Sequence, residues 1–240
     1  MTTVSLSLAR LAGRTGRGVT VAVVDSGVHG GHPHVGVVQA AVSFDEEGRR
    51  TDGVGDRLGH GTAVAAAIRE KAPDVTLVSA RVFDRSLATT NRALVAAIRW
   101  AAENRATLIN LSLGTTNGAH RDALAAAVAD AAAMGALVVA AAPDGEVWLP
   151  GALDGVVAVE LDWECPRDRC LVRREGSSVR ARASGFPRPI AGVTPERNVR
   201  GASFAVANAC GFLALAFDQG RGAPPADPWS ILMASMGISV

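Results

Sequence analysis

Between Val19 and Ala142, short apolar runs alternate with longer amphipathic ones, and no other feature of the sequence restricts the fold as much. Val19-Thr20-Val21-Ala22-Val23-Val24 is β-branched and almost wholly apolar, as in a strand buried on both faces. Similar strands are expected at 37–42, 75–82, 107–111 and 136–142. Helices are expected between them. One is alanine-rich, runs from His60 to Lys71 and is ended by Pro73. Another covers 91–105, with Leu94, Val95, Ile98, Ala101 and Ala102 on one side. A third covers 121–134, with Gly135 as its C′ residue. This alternation predicts an α/β fold: a mostly parallel central sheet with helices on both faces. After Ala142 the pattern changes. Short strands at 156–161, 170–173 and 179–183 follow one another without helices, which suggests antiparallel hairpins. A helix returns at 203–217, Pro224-Pro225 breaks it, and 228–236 reads as a last short helix. No repeat or linker interrupts the chain, so 1–240 reads as one domain with 1–18 as an N-terminal extension.

The 240 residues are 48% hydrophobic and 20% charged, with a net charge of +1. That length can bury a sizeable core. The charge balance gives no electrostatic footprint for nucleic acid or for an anionic membrane. Aromatic residues are sparse and tyrosine is absent, so alanine and valine fill the interior, which suits helices laid closely on a sheet. No run approaches the roughly 18 apolar residues of a membrane span. Residues 1–18 lack the apolar segment and cleavage site of a signal peptide. The expected location is the cytoplasm, where Cys165, Cys170 and Cys210 would be reduced. Cys165 and Cys170 bracket Pro-Arg-Asp-Arg, read as a hairpin tip, and could bridge in an exported protein. Cys210 lies in an apolar run and reads as core.

Three polar residues stand at the ends of expected elements. Asp25 ends the first buried strand. His60 opens a helix between Gly59 and Gly61. Ser203 stands where the polar stretch 194–200 gives way to Phe204-Ala205-Val206-Ala207. In parallel sheets, sites form at the carboxyl ends of strands, and Ser112-Leu113-Gly114 and Pro143-Asp144 occupy two more such ends. Acyl transfer by serine needs these three residue types. The hydroxyl is a weak nucleophile and requires a base, imidazole has a suitable pKa, and a buried carboxylate fixes its tautomer. Each residue also has a plain structural role open to it: a turn residue, a helix-start residue and a helix N-cap.

Asp25-Ser26-Gly27-Val28, followed by His32-Pro33, resembles the aspartate motif of the subtilisin-like serine peptidases, the subtilase family. Gly59-His60-Gly61-Thr62-Ala63-Val64-Ala65 resembles their histidine motif, and Gly201-Ala202-Ser203-Phe204-Ala205 a variant of their serine motif. The order Asp, His, Ser is that family's order. Ile109-Asn110-Leu111-Ser112-Leu113-Gly114 resembles the segment that pairs with an extended substrate. Val138-Val139-Ala140-Ala141-Ala142 resembles the strand leading to the oxyanion residue. The resemblance covers 19–217 and implies a subtilisin-like three-layer fold. It implies Ser203 as nucleophile, His60 as general base and acid, Asp25 as orienting carboxylate, and the Ser203 backbone N–H as an oxyanion donor. Ser112, Leu113, Gly114, Ala140, Ala141 and Ala142 would bind substrate. The implied partner is a peptide or protein; no cofactor, nucleic acid or membrane is implied. The family often carries calcium, but the one acidic run, Asp45-Glu46-Glu47, lacks a calcium-loop spacing, so no required metal is expected. It also often carries a propeptide, and 18 residues before the first strand are too few for a folded one.

The chain departs from the family pattern in three places. Pro143-Asp144 replaces the usual Gly-Asn, and an ionised Asp144 would repel the oxyanion that the asparagine normally stabilises. Asp144 held protonated by burial, a substitute donor, or weak activity are the three outcomes. Ala202, Phe204 and Ala207 replace threonine, methionine and proline; Phe204 changes the packing behind the nucleophile with no obvious chemical effect. The segment 145–151, which walls the pocket for the residue before the scissile bond, is short and suggests an altered or open pocket. Glu146 there reads as a solvated loop acid or as a charge favouring a basic side chain. The expected function is a serine endopeptidase with a dedicated task, such as processing a precursor or leader peptide. A ligase or macrocyclase on the same triad and a catalytically silent peptide-binding fold are the alternatives.

Overall fold

The strand β2 (Thr20–Asp25) lies inside a ten-stranded sheet because every residue from Val21 to Asp25 is buried and both of its edges are paired. The computed structural model describes residues 3–143, 145–218 and 228–235. The other strands are β1 (Thr3–Ser7), β3 (Val38–Phe44), β4 (Arg50–Thr51), β5 (Thr76–Arg81), β6 (Leu108–Leu111), β7 (Leu137–Ala141), β8 (Val156–Leu161), β9 (Arg169–Glu175) and β10 (Ser178–Ala183). The helices are α1 (His60–Lys71), α2 (Asn91–Glu103), α3 (Arg121–Ala133), α4 (Ala202–Ala216) and α5 (Pro228–Ser235). Strand order is β1-β9-β10-β8-β7-β6-β2-β5-β3-β4. From β10 to β3 all neighbours are parallel.

Strand side chains alternate between two cores, giving three layers. Val21 and Val23 join a core with Val64 and Ile68 of α1 and with α4; Ala22 and Val24 join Leu94 and Ile98 of α2 and Leu124 and Val128 of α3. The α4 helix is apolar all round and 13 of its 15 residues are buried, the pattern of a central helix. Arg14 donates to the carbonyls of Leu215 and Ala216, and Asp218 accepts from the backbone N–H groups of Thr15, Gly16 and Arg17. The segment before β2 is thereby tied to the end of α4.

The strand order reverses at β2. After β2 the chain lays β3 and β5 on one side, then crosses to place β6, β7 and β8 on the other. A crevice forms where such a sheet switches direction, outside the carboxyl ends of the strands. Asp25 ends β2, and Ser112 follows β6.

Two expectations need correction. Residues 156–183 are not a run of antiparallel hairpins: β9 and β10 form one, but β10 pairs parallel with β8 and separates it from β9. The segment between Cys165 and Cys170 is therefore a crossing loop, not a hairpin tip. Nor is 1–18 only an extension. In β1, Val4 and Leu6 are buried while their neighbours are not, and the strand pairs antiparallel with β9 at the sheet edge. Two buried residues in five were too short a period to read. Pro224, Pro225 and Met236 lie outside the described residues. No helix among the described residues is long and apolar enough to cross a membrane.

Candidate active site

Asp25 is fully buried at the carboxyl end of β2. Its Oδ1 accepts from the N–H of Ser26 and lies 2.7 Å from Nδ1 of His60. An ionised carboxylate can only accept, so Nδ1 carries the proton and Nε2 is left with a free lone pair. Among the described residues Oδ2 has no partner, so the charge of this carboxylate is balanced chiefly through His60.

His60 is the first residue of α1, and a polar network fixes that helix end. Asp56 Oδ1 accepts from Ser26 Oγ and from the N–H groups of Leu58 and Gly59; its Oδ2 accepts from the N–H and hydroxyl of Thr62. Ser26 Oγ in turn accepts from the N–H of Gly61 at 2.9 Å, and Thr62 Oγ1 from that of His29 at 3.0 Å. A Cβ on Gly61 would lie 2.1 Å from the Gly27 carbonyl oxygen and 3.1 Å from the Asp25 Cβ, so α1 can approach the Asp25 turn only with glycine there. Burial alone would lower the His60 pKa; the hydrogen bond and charge of Asp25, with the charge of Asp56, outweigh it and raise it above 6.5. Burial would raise the Asp56 pKa, but the bonds from Thr62, Ser26 and Gly59 hold it below 3.8. Neither Asp56 nor Ser26 was singled out from the sequence. For Asp56 a signal was present: a carboxylate in the loop that leads into a helix start complements the free N–H groups and positive end of the first turn.

Ser203 lies in the first turn of α4, one residue inside its start. The N-cap is Gly201, at φ 144°, and no side chain caps the helix. The hydroxyl is therefore not used as a cap. It donates to the Ser112 carbonyl at 3.3 Å; Ser112 Oγ donates back to the Ser203 carbonyl at 3.2 Å and accepts from Asn110 Nδ2 at 3.0 Å. Phe204 places its ring against the imidazole of His60, with centroids 5.9 Å apart. The structure thus joins Asp25 and His60 directly, and brings Ser203 to them through Phe204 rather than through a serine–histidine hydrogen bond. Phe204, expected to have no chemical effect, packs on the His60 ring. The Ser203 N–H lies among the first helix donors, which have no intrahelical acceptor.

Ser112, Leu113 and Gly114 follow β6 beside Ser203. Ala141 ends the neighbouring strand β7, and Ala142 follows it. Ala140 cannot line a substrate cleft: its backbone is paired to Leu111 on one edge and Ala158 on the other, and its side chain lies in the α2/α3 core. Asp144 lies outside the described residues. The segment 145–151 is not an open wall. Trp148 rests against Gly114, and its Nε1 donates to Glu146 Oε2 at 2.7 Å; Glu146 is an exposed loop acid that accepts from the indole.

The acidic run closes on itself, with Asp45 accepting from the N–H groups of Glu47 and Arg49 and from Arg49 Nε. Among the described residues no cluster of three or more His, Cys, Asp or Glu could hold a metal. All three cysteines are free and buried, and burial pushes their pKa values up, so none is a thiolate at neutral pH.

The sequence matches the model of the subtilase family over residues 16–161. Subtilisin DY of Bacillus licheniformis is 34% identical over 163 residues, 61% of this chain and 57% of that protein. The chain thus spans little more than half the length of this relative. A lanthipeptide protease structure superposes with a TM-score of 0.66 at 20% identity, over 93% of this chain and 80% of that one. The nisin leader peptidase NisP from Lactococcus lactis superposes with a TM-score of 0.69 at 20% identity, over 93% and 83%. At these identities the two structures speak to the fold.

Proposed function

The chain belongs to the subtilase family, and on that footing we propose that it is a serine endopeptidase acting through Asp25, His60 and Ser203. The observation that carries this reading is the 2.7 Å contact between Asp25 Oδ1 and His60 Nδ1, beneath a helix whose first turn holds Ser203. In the reaction the Ser203 hydroxyl leaves the Ser112 carbonyl and turns to Nε2. His60 takes its proton as Oγ attacks the peptide carbonyl. The oxyanion forms at the α4 N-terminus, where the Ser203 N–H and the positive helix end stabilise it. Collapse expels the amine, which receives the proton from His60, and leaves an acyl-enzyme. Water, deprotonated by the same imidazole, then releases the acid.

The substrate class we propose is a precursor or leader peptide. A lanthipeptide protease and a nisin leader peptidase among the similar structures support it. A second reading, a silent peptide-binding fold, is favoured by one observation: the Ser203 hydroxyl is spent on Ser112. Labelling by a serine-directed fluorophosphonate across pH 5 to 9 separates the two. Labelled wild type with unlabelled Ser203→Ala is the expected result. Absence of label throughout that range would leave only the silent reading. Product mass then tells hydrolysis from ligation.

A further inference from the structure

Two backbone segments flank the space beside Ser203. One is 112–114, which follows β6 and exchanges hydrogen bonds with Ser203. The other is the end of the adjacent parallel strand, Ala141, with Ala142 after it. The loop 145–151 spans the gap between them. At one end Trp148 packs against Gly114: a Cβ there would be 2.8 Å from Trp148 Cε3 and 3.6 Å from its Cδ2. At the other, a Cβ on Gly151 would be 2.3 Å from the Ala141 carbonyl oxygen and 3.0 Å from the Ala142 Cβ. The loop is seated on both walls with no slack.

We propose that Trp148 limits the size of the residue whose carbonyl Ser203 attacks, admitting glycine, alanine or serine and excluding aromatic and long branched side chains. This rests on Ser203 being the nucleophile. With the acyl carbon at Ser203 Oγ, α4 blocks one side, and the side chain of that residue must point between 112–114 and 141–142. There it meets the indole. The indole is not free to swing away. Its Nε1 is bonded to Glu146, and the next residue, Leu149, exchanges both backbone hydrogen bonds with Thr115 at 2.9 Å. Only glycine at 114 leaves room for the ring.

The test uses N-acetyl alanine and N-acetyl phenylalanine 4-nitrophenyl esters, with fluorophosphonate labelling of the same samples. Wild type should favour the alanine ester by about 100-fold in kcat/KM, a factor typical of a few carbon atoms admitted or refused by a pocket. Trp148→Ala and Trp148→Gly should collapse that ratio or invert it. A labelled wild type that takes both esters equally overturns the inference, as does an unchanged ratio in labelled variants. Should neither variant fold, the wild-type ratio alone decides. A wild type that neither labels nor turns over either ester overturns the nucleophile reading, and this inference with it.

Discussion

Replacing Asp56 with asparagine changes one atom and disturbs a carboxylate that accepts five hydrogen bonds. An amide has one acceptor oxygen. If that oxygen keeps Leu58, Gly59 and Ser26, the new NH2 faces the N–H and O–H of Thr62, donors against a donor. Thr62 lies in the first turn of α1, so that turn loses a side-chain acceptor for its free N–H, about 1 kcal/mol. The negative charge at the helix N-terminus is lost as well, about 0.5–1 kcal/mol. Together the variant should be about 2 kcal/mol less stable at pH 7, roughly 4–8 °C in Tm for a domain of this size. The pH dependence separates the charge from mere steric disturbance. The folded pKa of Asp56 lies below 3.8, so its stabilisation is complete at neutral pH and is lost as pH falls through that folded value. Urea titrations of both proteins should differ at pH 7 and converge only below pH 4. Because the Asp56 charge also helps raise the His60 pKa, the acid limb of kcat/KM for an activated ester should move to lower pH in the variant. Stabilities equal within about 0.5 kcal/mol at pH 7, with an unmoved acid limb, would refute the claim that Asp56 positions His60.

In the wild type, kcat/KM should rise with pH through a value above 6.5, because His60 must be neutral to act as base and its pKa is raised; a limb centred below 6.5 would contradict the cited cause. Asp25→Asn should lower kcat by about 10⁴-fold, the loss known for serine-protease triads of this kind rather than one worked from this structure. The same variant should move the acid limb down, since Asp25 is the main group raising the imidazole. Glu160 is buried on β8 and pairs with Arg180 at 2.6 Å, Arg182 at 2.7 Å and Arg173 at 3.3 Å. Glu160→Gln removes the buried carboxylate of this cluster while Glu175 stays 3.0 Å from Arg173 and 3.9 Å from Arg180, and should cost about 2 kcal/mol by urea titration, without changing the fluorophosphonate labelling rate.

The centre of the parallel core was legible because β2, β6 and β7 are buried on both faces and so read as mostly apolar runs. The edge was not, because an edge strand pays for its place with only a few contacts. β1 at the edge shows two buried apolar residues in five, and β10, inside the sheet between β9 and β8, alternates arginine with small residues, so neither run betrays how it pairs. Asp25, His60 and Ser203 could be placed because each sits at an element end with its own local pattern. Asp56 had a local signal, since Leu58, Gly59 and Thr62 lie within six residues of it, but its bond to Ser26 is made only by tertiary packing, as is the contact of Trp148 with Gly114. Trp148 was hidden most thoroughly. A short loop suggested an open pocket, yet one indole needs few residues to fill the gap that a longer loop would wall.

The rotamer of Ser203 marks the limit of what local pattern encodes. A helix N-terminus and flanking small residues place the Cα and Cβ. Whether Oγ then donates to the Ser112 carbonyl or to His60 Nε2 is a choice between two hydrogen bonds, a difference of about 1 kcal/mol or less. Both acceptors belong to other elements, and neither leaves a trace in the residues around Ser203. On the proposed mechanism the rotamer in which Oγ meets His60 is the reactive one, and Ser112→Pro or other changes that move the Ser112 carbonyl should alter the fluorophosphonate labelling rate of Ser203.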